Sequence, residues 1–385
     1  MSPRRMITTD CHIAPPFSLV EQLPESYRRH FTRLVRRKDG SHLIHPVPPA
    51  AAALMMGGGP GSGATTVEVP VDDDPQALAK AAVGNVCPEA TPSFDPMAQL
   101  ADLERDGVYG AVLIGRIHTF DDGVPAEVDT AYCEVVNDWL AETWGPHLDR
   151  VAPAIYLPYR DVAASVRELE RAAAMGLRPA LLPDGIFDRP YHLAEWEPLW
   201  EAANELNVPI SMHVGGLRSA PSPYPIYPGV ADIAWYNFCC GMGETLGWLT
   251  YSGVLHRYPD LHVIMTEGYA GWLPFAIQFF DHHWNDSRLH DLGIGLEAAT
   301  AKMDAPPSFY LKRQAHATFM WDPAAIRLRD ITGIDCLMWG NDYPHNEGSF
   351  PFSTEWVEKQ FEGVPDVEVD AMVRGNAARI FGITV

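Results

Sequence analysis

Short apolar runs rich in β-branched residues recur along the chain and predict β-strands. They fall at 6–9, 111–114, 151–156, 178–182, 209–212, 262–266, 316–320 and 336–339. Segments with a helical spacing of apolar residues lie between many of these runs, at 95–106, 130–143, 161–174, 195–206 and 243–256. Strands that alternate with helices in this way indicate a parallel sheet with crossover helices.

The number of strand–helix units favours a closed barrel. About eight such units in 385 residues fit a (β/α)8 TIM barrel with insertions better than an open, doubly wound sheet. No G-x-G-x-x-G follows an early strand, which argues against a dinucleotide-binding fold. We therefore predict a single α/β domain over residues 1–385.

Two segments interrupt the alternation. The first insertion, about 36–94, follows the first strand and contains a stretch rich in Gly, Ala and Pro at 46–66. Such a composition loses much entropy on ordering, so the stretch is either a mobile lid over the barrel or a surface insertion. The second insertion, about 274–314 after the sixth strand, is predicted to form one or two helices over the barrel or part of a subunit interface.

Composition and charge narrow the class of partner. The formal charge of −22 argues against nucleic acid and anionic membranes, because both are bound through Lys and Arg patches. No run approaches the ~18 apolar residues of a membrane span. None of the six cysteines belongs to a C-x-x-C pair, the spacing of many zinc and redox sites. We expect a cytoplasmic protein that acts on a small molecule.

Three of the predicted strands end in residues of the kinds that bind metals. Asp10 and His12 follow the first run, His213 ends the run at 209–212, and Asp342 closes the last run. Residues i and i+2 of a strand point to one face, so Asp10 and His12 can enter the barrel mouth together. Singly, His213 fits a core histidine and Asp342 fits a helix N-cap. Together these four residues predict one divalent metal site at the carboxyl ends of the strands, where barrel active sites lie.

The sequence around these residues resembles a known family. The D-x-H triplet at 10–12, the His213 strand, TEGYAGWLP at 266–274, WGNDYPH at 339–345 and RGNAARIFG at 374–382 resemble the amidohydrolase-related family. The branch is amidohydrolase family 2, which includes aminocarboxymuconate-semialdehyde decarboxylase. The resemblance implies a distorted TIM barrel, one divalent ion (usually Zn²⁺, in some members Mn²⁺) and a homodimer or higher homo-oligomer. It matches Asp10 and His12 to the first-strand ligands, His213 to the fifth-strand ligand and Asp342 to the eighth-strand aspartate.

The sequence departs from that family on strand six. Well-studied decarboxylases of the family have a histidine followed by glycines there, whereas this chain has Glu267 and Gly268. A glutamate can accept a proton from water or act as an extra ligand, but as an anion it cannot donate a hydrogen bond to developing negative charge. The difference favours a metal-dependent hydrolase, in which Asp342 or Glu267 takes a proton from a water activated by the metal. The substrate would be a small organic molecule, for which the aromatic residues near the strand ends suggest an aromatic or other ring-derived compound.

A non-oxidative decarboxylase of an aromatic or semialdehyde acid is the alternative reaction. In it Asp342 would protonate the ring carbon before CO₂ leaves. That reaction needs a cation for the substrate carboxylate, and Arg116 is one candidate. His345, three residues after Asp342, is a further catalytic candidate, and Arg116, His118 and Trp272 are candidate substrate contacts.

Overall fold

A computed structural model describes most of the chain. The described residues are 4–13, 15–28, 30, 35–36, 42–43, 67–68, 86–92, 94–115, 124–186, 189–214, 230–285 and 303–385. The Gly/Ala/Pro-rich stretch at 46–66 and the candidates Arg116 and His118 lie outside them. Two-residue strands at Val35–Arg36, His42–Leu43 and Val67–Glu68 form a separate antiparallel sheet.

Eight parallel strands form the centre of the described fold, and their positions confirm the predicted barrel. They are β1 (Met6–Ile13), β2 (Val108–Gly115), β3 (Val151–Pro153 and Ile155–Tyr156), β4 (Ala180–Pro183), β5 (Ile210–His213), β6 (Val263–Thr266), β7 (Ala315–Phe319) and β8 (Leu337–Trp339). Neighbours in sequence pair in parallel from β1 to β8, with the interruption in β3 at Ala154. Beyond β8, a parallel bridge between Cys11 and Tyr343 links the last unit to β1.

Helices follow or connect the strands. They are α1 (Glu25–Arg28), α2 (Pro96–Arg105), α3 (Ala126–Trp144), α4 (Val162–Ala174), α5 (Glu197–Glu205), α6 (Val230–Tyr251), α7 (Val254–Arg257), α8 (Leu273–Asn285), α9 (Pro307–Gln314), α10 (Pro323–Arg327), α11 (Arg329–Thr332), α12 (Ser353–Gln360), α13 (Asp366–Asp370) and α14 (Asn376–Phe381). Aspartate side chains cap α2, α4 and α10 at their amino ends, which satisfies backbone N–H groups that have no partner within the helix. No helix among the described residues combines the length and apolarity needed to cross a membrane.

The barrel interior is filled at its amino end. Apolar side chains from six strands, including Ile7, Val112 and Ile264, form one buried cluster with α14. Just beyond α14, the Thr384 amide donates to the carbonyl of Asp149, which lies before β3. The C-terminal helix therefore closes the amino end of the strands, and the carboxyl end is left for a functional site.

The structure corrects several predicted boundaries. The apolar run of the first strand covers only residues 6–9, but β1 continues through Asp10 and His12 to Ile13 with every residue buried. Polar side chains that face a barrel mouth do not interrupt backbone pairing. The strand is therefore longer than its apolar pattern indicates. The predicted helix at 243–256 is two helices, α6 and α7, that meet at Gly253, whose φ of 78° ends α6.

Candidate metal centre and active site

Asp10 and His12 lie within β1, where the strand is irregular. The register of β1 against β2 shifts between Thr8 and Cys11, as in a β-bulge, and bulges re-aim side chains next to active sites. His12 Nε2 lies 3.2 Å from Asp10 Oδ1. The two side chains therefore meet at the barrel mouth, as the D-x-H spacing predicts.

His213 is the last residue of β5 and approaches the same point. Its Nε2 lies 3.7 Å from Asp10 Oδ1, and its ring is 5.1 Å from the His12 ring between centroids. The other ring nitrogen, Nδ1, lies 2.7 Å from the carbonyl oxygen of Val214. Donation from Nδ1 to this carbonyl leaves a lone pair on Nε2, which is the tautomer that a metal-binding histidine needs.

Asp342 follows β8, and its side chain meets His12 where the last unit of the barrel adjoins β1. Its Oδ1 lies 3.0 Å from His12 Nε2 and 2.8 Å from His345 Nδ1. The residue has a φ of 53°, a left-handed conformation that costs energy for most residues and that Asp and Asn tolerate best. The Asp342 amide donates to the carbonyl of Asp10 over 3.0 Å, so the backbone link between β8 and β1 also sets the distance between two predicted ligands.

Glu267 occupies the strand-six position of the same cluster. Its Oε2 lies 3.2 Å from His213 Nε2, and its side chain is buried. Its backbone has a φ of 61°, and its amide donates to the Thr318 hydroxyl on β7 over 2.8 Å. Asp10, His12, His213 and Glu267 offer ligand atoms that all lie within 4.8 Å of one another.

The unsatisfied atoms of this cluster indicate a cation. Buried polar atoms normally have hydrogen-bond partners, because leaving one without a partner costs about 1–3 kcal/mol. Five buried atoms of this cluster have no hydrogen-bond partner among the described residues: Asp10 Oδ1 and Oδ2, His12 Nε2, His213 Nε2 and Asp342 Oδ2. Carboxylate oxygens and imidazole nitrogens that face one another in this way fit a divalent ion such as Zn²⁺ or Mn²⁺.

The pKa shifts of the first-strand pair and of Asp342 reflect the same crowding. Burial raises the pKa of Asp10, but the contacts with His12 and His213 outweigh it, and the pKa is lowered. Burial lowers the pKa of His12, but Asp10 and Asp342 raise it well above 6.5. The pKa of Asp342 is lowered, because the charge of His345 and the contact with His12 outweigh the effect of burial.

Glu267 behaves differently from the two aspartates. Burial, followed by the negative charges of Asp342 and Asp10, raises its pKa well above 4.5. The exposed residue Glu347 contributes to the same shift, and its carboxylate lies within 4.8 Å of ligand-type atoms of Glu267 and Asp342. The mouth therefore holds more carboxylates than its histidines neutralise, which increases its attraction for a cation.

The structure also shows site residues that the sequence analysis missed. Thr318 and Glu347 reach the cluster, and Tyr269 lines the same cleft as Asp10 and Glu267. The position of Tyr269 two residues after Glu267 was a signal for it. Trp272 lies elsewhere: its indole N–H bonds to the carbonyls of Gly268 and Tyr269, and its ring lines a groove between α6 and α8.

Comparison with known proteins places the chain in a family. The sequence model of the amidohydrolase family (amidohydrolase 2) matches residues 9–383. The chain belongs to the amidohydrolase family. The match confirms the resemblance of the sequence motifs to this family. The matched residues include all four predicted metal ligands.

One curated relative and two solved structures are similar to this chain, and the two structures show its fold. A γ-resorcylate decarboxylase of Polaromonas sp. is 30% identical over 155 residues, a match that covers 38% of this chain and 47% of that protein; the chain thus spans about half the length of that relative. A 5-carboxyvanillate decarboxylase of Sphingomonas paucimobilis has the same fold, with a TM-score of 0.67, 20% identity and 99% of each chain covered. A dihydroxybenzoic acid decarboxylase of Polaromonas sp., solved with bound manganese, gives a TM-score of 0.61 at 16% identity, covering 98% of this chain and 97% of its own.

Proposed function

We propose that this member of the amidohydrolase family is a metal-dependent, non-oxidative decarboxylase of an aromatic carboxylic acid. The observation that carries the proposal is the buried cluster in which Asp10, His12, His213 and Glu267 offer ligand atoms within 4.8 Å of one another. Asp342 Oδ1 adjoins this cluster, 3.0 Å from His12 Nε2. The similarity to decarboxylases of aromatic acids supports the reaction class.

Each site residue has a role in this proposal. Asp10, His12, His213 and Asp342 would hold the divalent ion, which, when bound, supplies a Lewis acid for the substrate carboxylate and a neighbouring oxygen. Asp342 donates a proton to the ring carbon that bears the carboxylate, a C–H bond forms, and the bond to the carboxylate carbon then breaks to release CO₂. His345, whose Nδ1 lies 2.8 Å from Asp342 Oδ1, is the group that returns a proton to Asp342 after each turnover.

From the sequence alone, hydrolysis is the first choice of reaction, because Glu267 replaces a histidine on strand six. The similarity to decarboxylases favours the alternative reaction. In the structure Glu267 still supplies a ligand-type atom to the cluster, 3.2 Å from His213. Its raised pKa also weakens the premise that it is always an anion. The replacement therefore changes the chemistry of one position without removing a group from the site.

The test separates the two reactions directly. Purified protein loaded with Mn²⁺ or Zn²⁺ is incubated with γ-resorcylate, 5-carboxyvanillate and other hydroxybenzoates, and CO₂ release is measured beside the decarboxylated ring product. A parallel panel of aromatic esters, lactones and amides is followed for hydrolysis. Metal-dependent CO₂ release supports the proposal, whereas turnover confined to the second panel would establish a hydrolase instead.

We propose zinc as the native ion and manganese as the alternative. Two imidazole nitrogens suit Zn²⁺, and the carboxylates suit either ion. Elemental analysis of protein purified without added metal distinguishes them. About one equivalent of zinc per chain supports the first assignment, and manganese in its place supports the second.

We also propose that two copies of the chain associate through the aromatic groove between α6 and α8. Trp248, Phe275 and Phe279 are exposed along it, Phe275 by 68%. Among the described residues that line this groove, Glu244 is the one with a formal charge. On a chain with a formal charge of −22, such a face lets two like-charged copies approach with little repulsion. Light scattering should give a dimer or larger species, and a Phe275→Glu/Phe279→Glu variant should be monomeric; a monomeric wild type would contradict the proposal.

A further inference from the structure

The turn that follows β6 is held in an unfavourable backbone conformation. Glu267 and Tyr269 both have left-handed backbones, with φ of 61° and 54°. Neither residue is glycine, so each left-handed backbone conformation costs energy and is kept only by contacts with the surrounding structure. This turn carries Glu267 into the metal cluster, and its geometry therefore sets where the Glu267 carboxyl group lies.

A side chain from the loop after β7 accepts hydrogen bonds from this turn. Asp322, three residues after β7, is buried, and its Oδ2 accepts hydrogen bonds from the amides of Ala270 and Gly271 over 2.8 and 2.7 Å. Two successive N–H groups that point at one carboxylate oxygen form a nest, an arrangement that binds anions. Space at the contact is tight, since a Cβ on Gly271 would lie 3.0 Å from Asp322 Oδ1.

Helix capping accounts for the contacts of only one of the two carboxylate oxygens of Asp322. Asp322 Oδ1 accepts from the Ala325 amide over 2.9 Å and caps α10, and a serine would serve that purpose as well. The second oxygen is committed to the turn. Capping alone therefore does not account for the contacts of Oδ2 with Ala270 and Gly271.

We propose that Asp322 is a positioning residue for Glu267. It fixes the turn at 267–271 from one end while Thr318 fixes the Glu267 amide at the other. Together they keep Glu267 Oε2 3.2 Å from His213 Nε2. The inference rests on the proposed metal-dependent function, and it concerns how this chain's own residues shape the metal cluster.

The test uses a variant that separates the roles of the two carboxylate oxygens of Asp322. Asp322→Ser keeps an oxygen that can cap α10 but is too short to reach the turn. Asp161→Ala is the matched control, because Asp161 caps α4 through the Ala164 amide without touching the turn. A misplaced reactive group costs up to roughly 100-fold in rate, so we expect Asp322→Ser to lower kcat about 10- to 100-fold with little change in KM. Asp161→Ala should lower the melting temperature and leave kcat unchanged.

A double-mutant cycle shows whether Asp322 acts through Glu267. Asp322→Ser should have almost no further effect on kcat in a Glu267→Ala background, and equal effects in both backgrounds would overturn the proposal. A readout independent of turnover is the visible absorption spectrum of the Co²⁺-substituted protein, which should change in Asp322→Ser and stay unchanged in Asp161→Ala. If the spectrum does not respond to Asp322→Ser, the positioning role is refuted. If the spectrum responds but no decarboxylation is found, the proposed reaction fails and the positioning role stands.

Discussion

His12 Nε2 lies 3.0 Å from Asp342 Oδ1, yet His12 Nε2 has no hydrogen-bond partner in the part of the chain that the structure describes. Side chains that crowd together without bonding to one another behave as ligands of a common ion rather than as partners. One residue lies on the first strand of the barrel and the other follows the last, so this contact also marks the seam of the barrel.

Replacement of Asp342 should remove turnover and spare the fold. Asn has the same shape and tolerates the φ of 53° as well as Asp does, but it cannot carry the proton. Loss of a general acid typically costs about 10²–10⁴-fold, and we expect Asp342→Asn to lower kcat by at least that much. The circular dichroism spectrum should match wild type, and so should the melting temperature when both proteins are metal-free. A variant that folds normally and retains full activity would exclude Asp342 as the proton donor.

Metal binding should stabilise the protein through the two histidines. An ion at about 100 times its Kd adds about 2.7 kcal/mol to the free energy of unfolding. Chelation should therefore lower the melting temperature, and added Mn²⁺ or Zn²⁺ should restore it. His213→Ala should lose this response. His256→Ala, which removes a half-buried histidine bonded to Tyr310, should keep it, and an equal loss in both variants would count against the assigned ligands.

Metal affinity should depend on pH with a defined sign. The pKa of His12 is raised by Asp10 and Asp342 beyond the opposing effect of burial, so the metal-free ring keeps its proton to a higher pH than a free imidazole does. A ligand histidine must be neutral, and binding must displace that proton. The affinity for Mn²⁺ should fall as pH falls below the raised pKa. Calorimetry in buffers of different ionisation enthalpy should show proton release, and the absence of release would contradict this account.

Gly340 is expected to tolerate no side chain. A Cβ there would lie 2.9 Å from Asp10 Cβ and 3.1 Å from the Asp10 amide nitrogen, and neither atom can rotate away. Overpacking of this kind costs about 1–3 kcal/mol, and the shift would move a metal ligand. Gly340→Ala should therefore lower both the melting temperature and the metal affinity. Gly145→Ala is the control, since a Cβ at Gly145 meets no atom of the described residues within 4 Å and should leave both values near wild type.

A histidine pair at the amino end of the strands should make stability depend on pH separately from the active site. Burial, then the neighbouring His262, lowers the pKa of His316 to about 3, and His262 Nδ1 lies 3.0 Å from His316 Nε2. The unfolded chain binds this proton near pH 6.5 and the folded protein does not. Stability from this group is therefore present above pH 6.5 and is lost as pH falls toward 3, at about 1.4 kcal/mol per pH unit.

Urea unfolding at several pH values checks the His316 prediction. The free energy of unfolding should drop between pH 6.5 and 4 in wild type, and the slope should be smaller in His316→Gln. Identical slopes in the two proteins would show that His316 does not titrate on unfolding. The metal-free protein is the correct sample, because metal binding has its own pH dependence.

The alternation of apolar runs with helical segments was sufficient to predict the barrel. Eight runs recurred at the right spacing, and a buried parallel strand leaves a strong apolar pattern in the sequence. Asp10, His12, His213 and Asp342 were identified for a related reason: each stands where an apolar run stops, and in a parallel barrel all such ends meet at one face. Local sequence thus carried both the fold class and the four candidate ligands.

Tertiary structure alone decided the rest. Three features depend on contacts between residues far apart in the chain. They are the bulge in β1, the left-handed backbone at Glu267 and Asp342, and the hydrogen bonds from the turn at 267–271 to Asp322. No apolar pattern records them, because hydrogen bonds between a side chain and a distant backbone have no sequence period. The pKa of Glu267 is raised for the same reason: burial and the charges of Asp342 and Asp10 act on it only after the barrel has closed.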